Sequence, residues 1–165
     1  MSIDNGYNTA QICKNGHLIT EYSSSYPQHN KKFCQKCGEI TITNCESCKE
    51  PIQGAYHLHI ASAAHREFPI PKYCHNCGKP YPWTELHIRA ARKIIDQLDE
   101  LPSSERDDLK NAINDIAKDT PDAKPAAYKI RTALTKLRGE AQTMLRDLIV
   151  EIASEAIVKI IMPNK

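Results

Sequence analysis

Four pairs of side chains along the first half of the chain could bind metal: Cys13-x3-His17, Cys34-x2-Cys37, Cys45-x2-Cys48 and Cys74-x2-Cys77. They use all seven cysteines of the protein. Thiolate and imidazole are the donors zinc prefers, and a spacer this short lets both members of a pair reach one ion around a tight turn. Eight donors complete two tetrahedral sites with no open position. A closed site of this kind supplies folding energy and does no chemistry. The expectation is therefore two structural Zn2+ ions, held by Cys13, His17, Cys34, Cys37, Cys45, Cys48, Cys74 and Cys77, and no catalytic or organic-cofactor residues. Zinc is preferred over iron because closed knuckles of this type usually hold it, although tetrahedral thiolate sites suit both. Met1 to Ile12 shows neither a basic start nor an apolar run, so no secretory signal is read there. Without secretion, C-x2-C pairs mean metal rather than disulfides, and a cytoplasmic protein is expected.

The pairs are separated by 16, 7 and 25 residues. In a sequential arrangement, pairs one and two share one ion and pairs three and four share the other. In a cross-braced arrangement, pairs one and three share an ion, as do pairs two and four. The sequential form is favoured. The two long gaps each accommodate a hairpin, and the short gap connects finished units. Gly38 and Gly78 follow the second and fourth pairs directly, and Gly16 lies within the first. Each can supply the positive φ at which a backbone turns around a metal. Ile40–Thr43 and Tyr56–Ile60 have strand composition. A ribbon of about 35 residues buries too little surface to fold alone, so bound metal is expected to supply the missing stability.

His17 is the eighth ligand by arithmetic and by position. Among the other histidines, His57 and His59 alternate with apolar residues as on the polar face of a strand. His75 lies inside the last knuckle, and His29, His65 and His87 read as surface residues. One catalytic pattern is excluded. His65-Arg66-Glu67 before Cys74-x2-Cys77 echoes the H-x-E and C-x2-C parts of zinc deaminases. The gap is too short for the strand and helix expected between them, and Tyr73 stands where a proline belongs. No nucleophile elbow, P-loop or dinucleotide fingerprint occurs either.

The order CKNGH, FCQKCGE, NCESCKEPIQG and YCHNCGKPYPWTE resembles an uncharacterised family of small bacterial proteins with a double zinc-ribbon-like N-terminus. The resemblance covers roughly residues 7–86 and is strongest at CHNCGKPYPWTE. It implies a bacterial source, an intracellular location and the metal ligands above. It brings no activity with it. By fold-level analogy, tandem zinc ribbons act as protein-interaction or nucleic-acid-binding modules.

The elements that follow are helical. Lys79–Trp83 reads KPYPW, a stiff apolar joint in which Trp83 packs. Thr84 can cap the next helix. Its apolar stripe is Ala91, Ile94, Ile95, Leu98 and Leu101. Pro102 and Ser103–Ser104 stop that helix and start a second, with Leu109, Ala112, Ile113, Ile116 and Ala117 at helical spacing. After a turn at Thr120-Pro121-Asp122, a third shows Ala126, Ala127, Ile130, Ala133, Leu134 and Leu137, and Gly139 ends or kinks it. From Glu140 to Met162 a single long helix is expected, its apolar residues spread over an arc of roughly 220°. A surface helix needs a stripe about half as wide. This helix is therefore read as the centre of a bundle or, alternatively, as a self-association or docking helix. Its opposite face carries Asp147, Glu151 and Glu155, which is wrong for a membrane surface, and no segment offers about 18 uninterrupted apolar residues for a span.

The fold class is thus α+β: two small tandem zinc ribbons of short β-hairpins over residues 1–83, then an α-helical bundle over residues 84–165. Residues 1–83 carry eight Lys+Arg against six Asp+Glu, and residues 84–165 carry fourteen of each. A zinc site of three cysteines and one histidine adds −1 and a site of four cysteines −2, bringing the first half to about −1. Tight nonspecific nucleic-acid binding needs a concentrated positive surface. The expected function is a protein-interaction adaptor, not an enzyme, with a protein partner and possible homo-oligomerisation through 140–162. The alternative is a nucleic-acid-binding regulator using Lys31, Lys32, Lys36, Lys72, Lys79, Arg89, Arg92 and Lys93. A third form, a cross-braced module recruiting another protein's reaction centre, requires pairs one and three to share metal.

Overall fold

The computed structural model describes residues 6–56 and 67–164. The chain divides into two compact units, Met1–Thr84 and Glu85–Lys165.

In the first unit, β2 (Gln11–Cys13) and β3 (Leu18–Thr20) form a hairpin, and β4 (Thr41–Ile42) pairs with the other edge of β2. The sheet order is β3-β2-β4, all antiparallel. A second, two-stranded sheet joins β1 (Tyr7–Thr9) to β5 (Gln53–Tyr56). The expected strand Tyr56–Ile60 is described only at Tyr56, the end of β5. His57, His59 and His65 lie outside the described residues.

Strands this short bury little, and the core they share is correspondingly small: Ala10, Ile12, Ile52, Tyr81 and Trp83, with Cys45 and Cys74 among them. Tyr81 and Trp83 stack with centroids 4.7 Å apart, and the Trp83 indole N–H donates to the Pro71 carbonyl at 2.9 Å. The two ribbons are not separate beads. Ile12 of the first and Ile52 of the second share one cluster, and β1 pairs with β5 across them. Gly54 makes that pairing possible. A Cβ there would strike the Glu21 carbonyl oxygen and lie 2.9 Å from the Ala10 nitrogen, both rigid backbone atoms. Buried Gln11 fastens the first long gap. Its Nε2 donates to the Lys31 carbonyl, and its Oε1 accepts from the Lys31 N–H at 2.9 Å.

Helix α1 (Pro82–Asp96) begins in the last residues of the first unit and continues into the second, which also contains α2 (Ser103–Ile116), α3 (Ala123–Lys136), α4 (Gly139–Ile152) and α5 (Glu155–Ile161). Helix α1 starts earlier than the Thr84 cap predicts. Pro82 has no N–H to leave unsatisfied and a φ suited to the first turn. The Thr84 hydroxyl instead donates to the Lys72 carbonyl at 2.8 Å. Helix α3 packs against both α2 and α5. Gly139 turns the chain from α3 into α4 with φ +72°.

The single long helix over 140–162 is corrected by the structure. It breaks at Ala153–Ser154, both extended, with ψ near 160°. The break lets residues on both halves reach the same core. Leu145, Ile149, Ile152 and Ala153 before it, and Ile157, Ile161 and Met162 after it, all join one core. Serine has the right chemistry for an N-cap. Here Ser154 makes no capping bond, and its buried hydroxyl has no partner. Among the described residues, no helix is long and apolar enough to cross a membrane.

Candidate metal centres

Three of the four ligand pairs sit in the same local turn. Cys34 N–H donates to the Glu39 carbonyl at 2.8 Å, while the Cys34 carbonyl accepts from Gly38 N–H at 2.8 Å. Cys74 repeats this with Lys79 and Gly78, and Cys45 with Glu50 and Lys49. A one-residue antiparallel bridge closes each turn: Phe33 with Ile40, Asn44 with Pro51, Tyr73 with Pro80. Gly38 and Gly78 have φ of +73° and +71°. In the third turn Lys49 takes the same place at φ +66° and is the sole non-glycine residue with positive φ among the described residues. The backbone must bend this way to aim two sulfurs at one point, and Lys49 adopts the conformation at a cost glycine would avoid.

The first pair is built differently. Cys13 ends β2, His17 precedes β3, and Gly16 turns between them with φ +90°. Cys13 N–H donates to the His17 carbonyl at 3.0 Å. The hairpin turn aims the Cys13 sulfur and His17 Nδ1 at the same space.

The structure gathers the eight side chains into two groups: Cys13, His17, Cys34 and Cys37, and Cys45, Cys48, Cys74 and Cys77. Within each group the ligand atoms lie within 4.8 Å of one another. The grouping is sequential, so pairs one and three do not share a site, and the cross-braced recruitment module loses its basis.

The distances within each group match a tetrahedral ion. A Zn–S length of about 2.3 Å sets the S···S edge of a tetrahedron at about 3.8 Å. The observed edges are 3.8 Å for Cys13–Cys37, 3.8 Å for Cys45–Cys77 and 3.6 Å for Cys48–Cys74. With Zn–N of about 2.0–2.1 Å, the S···N edge becomes about 3.55 Å. His17 Nδ1 lies 3.5 Å from Cys13 Sγ and 3.6 Å from Cys34 Sγ. A disulfide requires about 2.05 Å, and all seven thiols are free. Both groups can hold a metal ion.

Their electrostatics point the same way. A backbone hydrogen bond at Glu39 and the Asn15 amide, 3.5 Å from the sulfur, bring the Cys37 thiol down to about 6. A backbone hydrogen bond at Glu50, assisted by Asn76, brings Cys48 down to about 6. At Cys77 the backbone bond at Lys79 lowers the pKa, but burial and the three facing thiols outweigh it and raise the thiol to about 11. Burial raises Cys13. Burial also opposes ionisation at Cys74, but backbone hydrogen bonds at Cys77 and Asn76 win and lower its thiol. Four sulfurs converging on one point cannot all ionise against each other. A divalent cation at the centre removes that conflict.

Asn15 and Asn76, which support the sulfurs, were not singled out in the sequence. Their one signal there is an amide placed inside the ligand spacer. Lys14 of the first pair and Glu46 of the third form an ion pair at 2.6 Å. His75 is exposed and faces Glu50 at 3.7 Å, outside both groups. Glu67, the carboxylate of the deaminase echo, is also exposed and belongs to neither group, while Cys74 and Cys77 face Cys45 and Cys48.

The chain belongs to a bacterial family described as "uncharacterized protein conserved in bacteria" (DUF2321), which matches residues 6–161 and so covers both units. No curated protein and no solved structure matches the chain.

Proposed function

We propose that this chain is a zinc-organised protein-interaction adaptor and not an enzyme. Two structural zinc ions would fix the first unit as a recognition surface, and the helical unit would dock a partner protein. What carries this reading is the completeness of both donor sets. Each group has four protein ligand atoms within 4.8 Å of one another, a complete donor set that would leave an ion no position for water or substrate. Zinc, rather than iron, and a reducing cytoplasmic setting belong to the same proposal.

For the helical unit the favoured docking surface is a groove of about 580 Å³ bordered by α3, α4 and α5. Buried Leu134, Ile161 and Met162 form its apolar floor, and the exposed Arg131, Arg146 and Asp147 offer charge at its border. That mixture resembles an apolar interface centre with a polar rim. Self-association through residues 140–162 is less well supported. Helices α4 and α5 turn their large apolar residues inward and leave Met144, Val150 and Ala156 as their exposed apolar residues.

The test is affinity capture by the intact, metal-loaded protein from a lysate of its own cells, with and without nuclease. Nuclease-resistant enrichment of one protein, lost when the exposed Arg131 and Arg146 are both changed to Glu in a variant that keeps its helical circular dichroism, is the expected result. Capture of no protein, by a chain that is monomeric in sedimentation, would remove the adaptor reading.

A further inference from the structure

We propose that the segment between the first and second ligand pairs, residues 22–36, binds single-stranded nucleic acid through base stacking and lysine–phosphate contacts. This site goes beyond the adaptor reading and is independent of the helical groove.

Of the five exposed aromatic rings among the described residues of the first unit, three lie in this segment: Tyr22, Tyr26 and Phe33. They do not hang at random. Tyr22 and Tyr26 meet edge to face with centroids 6.2 Å apart, and the Tyr26 ring stacks on His29 at 5.9 Å with planes 22° apart. Two turns bring these positions together: Tyr26 N–H donates to the Tyr22 carbonyl at 2.9 Å, and His29 N–H donates to the Tyr26 carbonyl at 3.0 Å. Phe33 directly precedes ligand Cys34, so the metal turn fixes its backbone.

Lysines are interleaved with the rings. Lys31, Lys32 and Lys36 are exposed, and the Lys32 ammonium lies 5.5 Å from the Phe33 centroid. No acidic residue occurs from Tyr22 to Gly38. None of the three lysines has an ion-pair partner among the described residues. Rings that offer a π-face beside cations that track a backbone are the two components of a single-strand site. A duplex hides its base faces and would meet only the lysines.

The platform is held in place before any ligand arrives. Ser23 N–H donates to the Thr9 carbonyl at 2.8 Å, the Ser24 hydroxyl to Asn8 Oδ1 at 3.0 Å, and Lys31 N–H to Gln11 Oε1 at 2.9 Å. A preformed surface loses less entropy on binding. The metal-loaded unit as a whole is close to neutral, so contact rather than long-range attraction must supply the affinity. Three phosphate contacts to a single strand give a salt slope of only about −2.

The test uses the full-length zinc-loaded protein and fluorescence anisotropy. The probes are fluorescein-labelled single-stranded RNA and DNA of mixed sequence, about 20 nucleotides long, and a duplex of equal length. The expected result is single-strand binding at low salt, at least about tenfold tighter than duplex binding. Tyr26→Ala and Phe33→Ala should each weaken it by about tenfold. The double change Lys31→Glu and Lys32→Glu should flatten the salt slope by more than half, and Tyr128→Ala in the helical unit should change nothing. Each variant is checked for two zinc ions per chain, which separates a lost contact from a lost fold. Binding that ignores the ring substitutions, binding equal to duplex, or no anisotropy change would overturn the proposal. So would nuclease-insensitive capture of a protein through these rings.

Discussion

Cys48 and Cys74 are 26 residues apart in the chain, yet their sulfurs lie 3.6 Å apart. Thiolates this close would repel one another, a conflict that a divalent cation between them would relieve. An apparent zinc binding energy of about 10–16 kcal/mol is of the size needed to organise a small unit. Excess chelator should therefore unfold the first unit. Trp83, the only tryptophan, is buried in its core and reports directly. Its emission should shift to the red as two zinc ions per chain are released, while most helical circular dichroism persists. Unchanged emission after complete metal loss would contradict the structural role.

The first group differs from the second by one imidazole, and cobalt can read that difference. The cobalt-loaded protein should show two spectral components, one from three thiolates and an imidazole, the other from four thiolates. His17→Cys should convert the first into the second. His17→Ala should lower metal content toward one ion per chain, and His75→Ala should leave both bands in place, since His75 lies outside the groups. A spectrum indifferent to His17 would remove it from the ligand set.

Lys49 pays a conformational cost that Gly38 and Gly78 do not. Lys49→Gly should raise the stability of the first unit by about 1 kcal/mol, part of the left-handed penalty being offset by the flexibility of glycine in the unfolded chain. Gly38→Ala should lower it by about 1 kcal/mol. An added Cβ at Gly38 meets no atom within 4 Å, so the loss would be backbone strain alone. Denaturant melts of the metal-loaded variants, followed by Trp83, give both values. Equal stability of Lys49→Gly and the parent would mean that the turn is relaxed as it stands.

The break after Ile152 makes a prediction for the helical unit. Ile149→Ala and Ile157→Ala lie on opposite sides of it and are both buried in the same core. Each should cost about 2–5 kcal/mol. Met144→Ala should stay within about 0.5 kcal/mol, since that side chain is 53% exposed. Thermal melts monitored at 222 nm distinguish these. A large loss at Met144 would indicate that it is covered in solution and would revive self-association through α4.

Much of this architecture was legible in the sequence because it is local. Cys34-x2-Cys37 and its relatives announce a turn within four residues, and Gly38 and Gly78 show which way the backbone goes. Sequential grouping could be argued from gap lengths. Lys49 was hidden because nothing in its residue type signals a positive φ. The β1–β5 pairing was hidden because strands of three and four residues carry almost no periodicity. The break at Ala153–Ser154 was missed for a different reason. Two small residues interrupt no apolar pattern, so the stripe reads as continuous although the backbone does not. The ladder of Tyr22, Tyr26 and His29 depends on turns within residues 20–33, whose sequence shows only polar, aromatic and proline residues.

The sequential grouping also sets an order in time. All four donors of the first group have been synthesised once Cys37 is in place, while Cys77 is still forty residues away. At about 5–20 residues per second, a ribosome needs about 2–8 s to cover that distance. The first group can close on an ion during that interval, when Cys45 and Cys48 are the sole further thiols until Cys74 is made. The nascent chain then presents the second group to an already organised neighbour, which guards against mispaired ligands at the moment the protein is made.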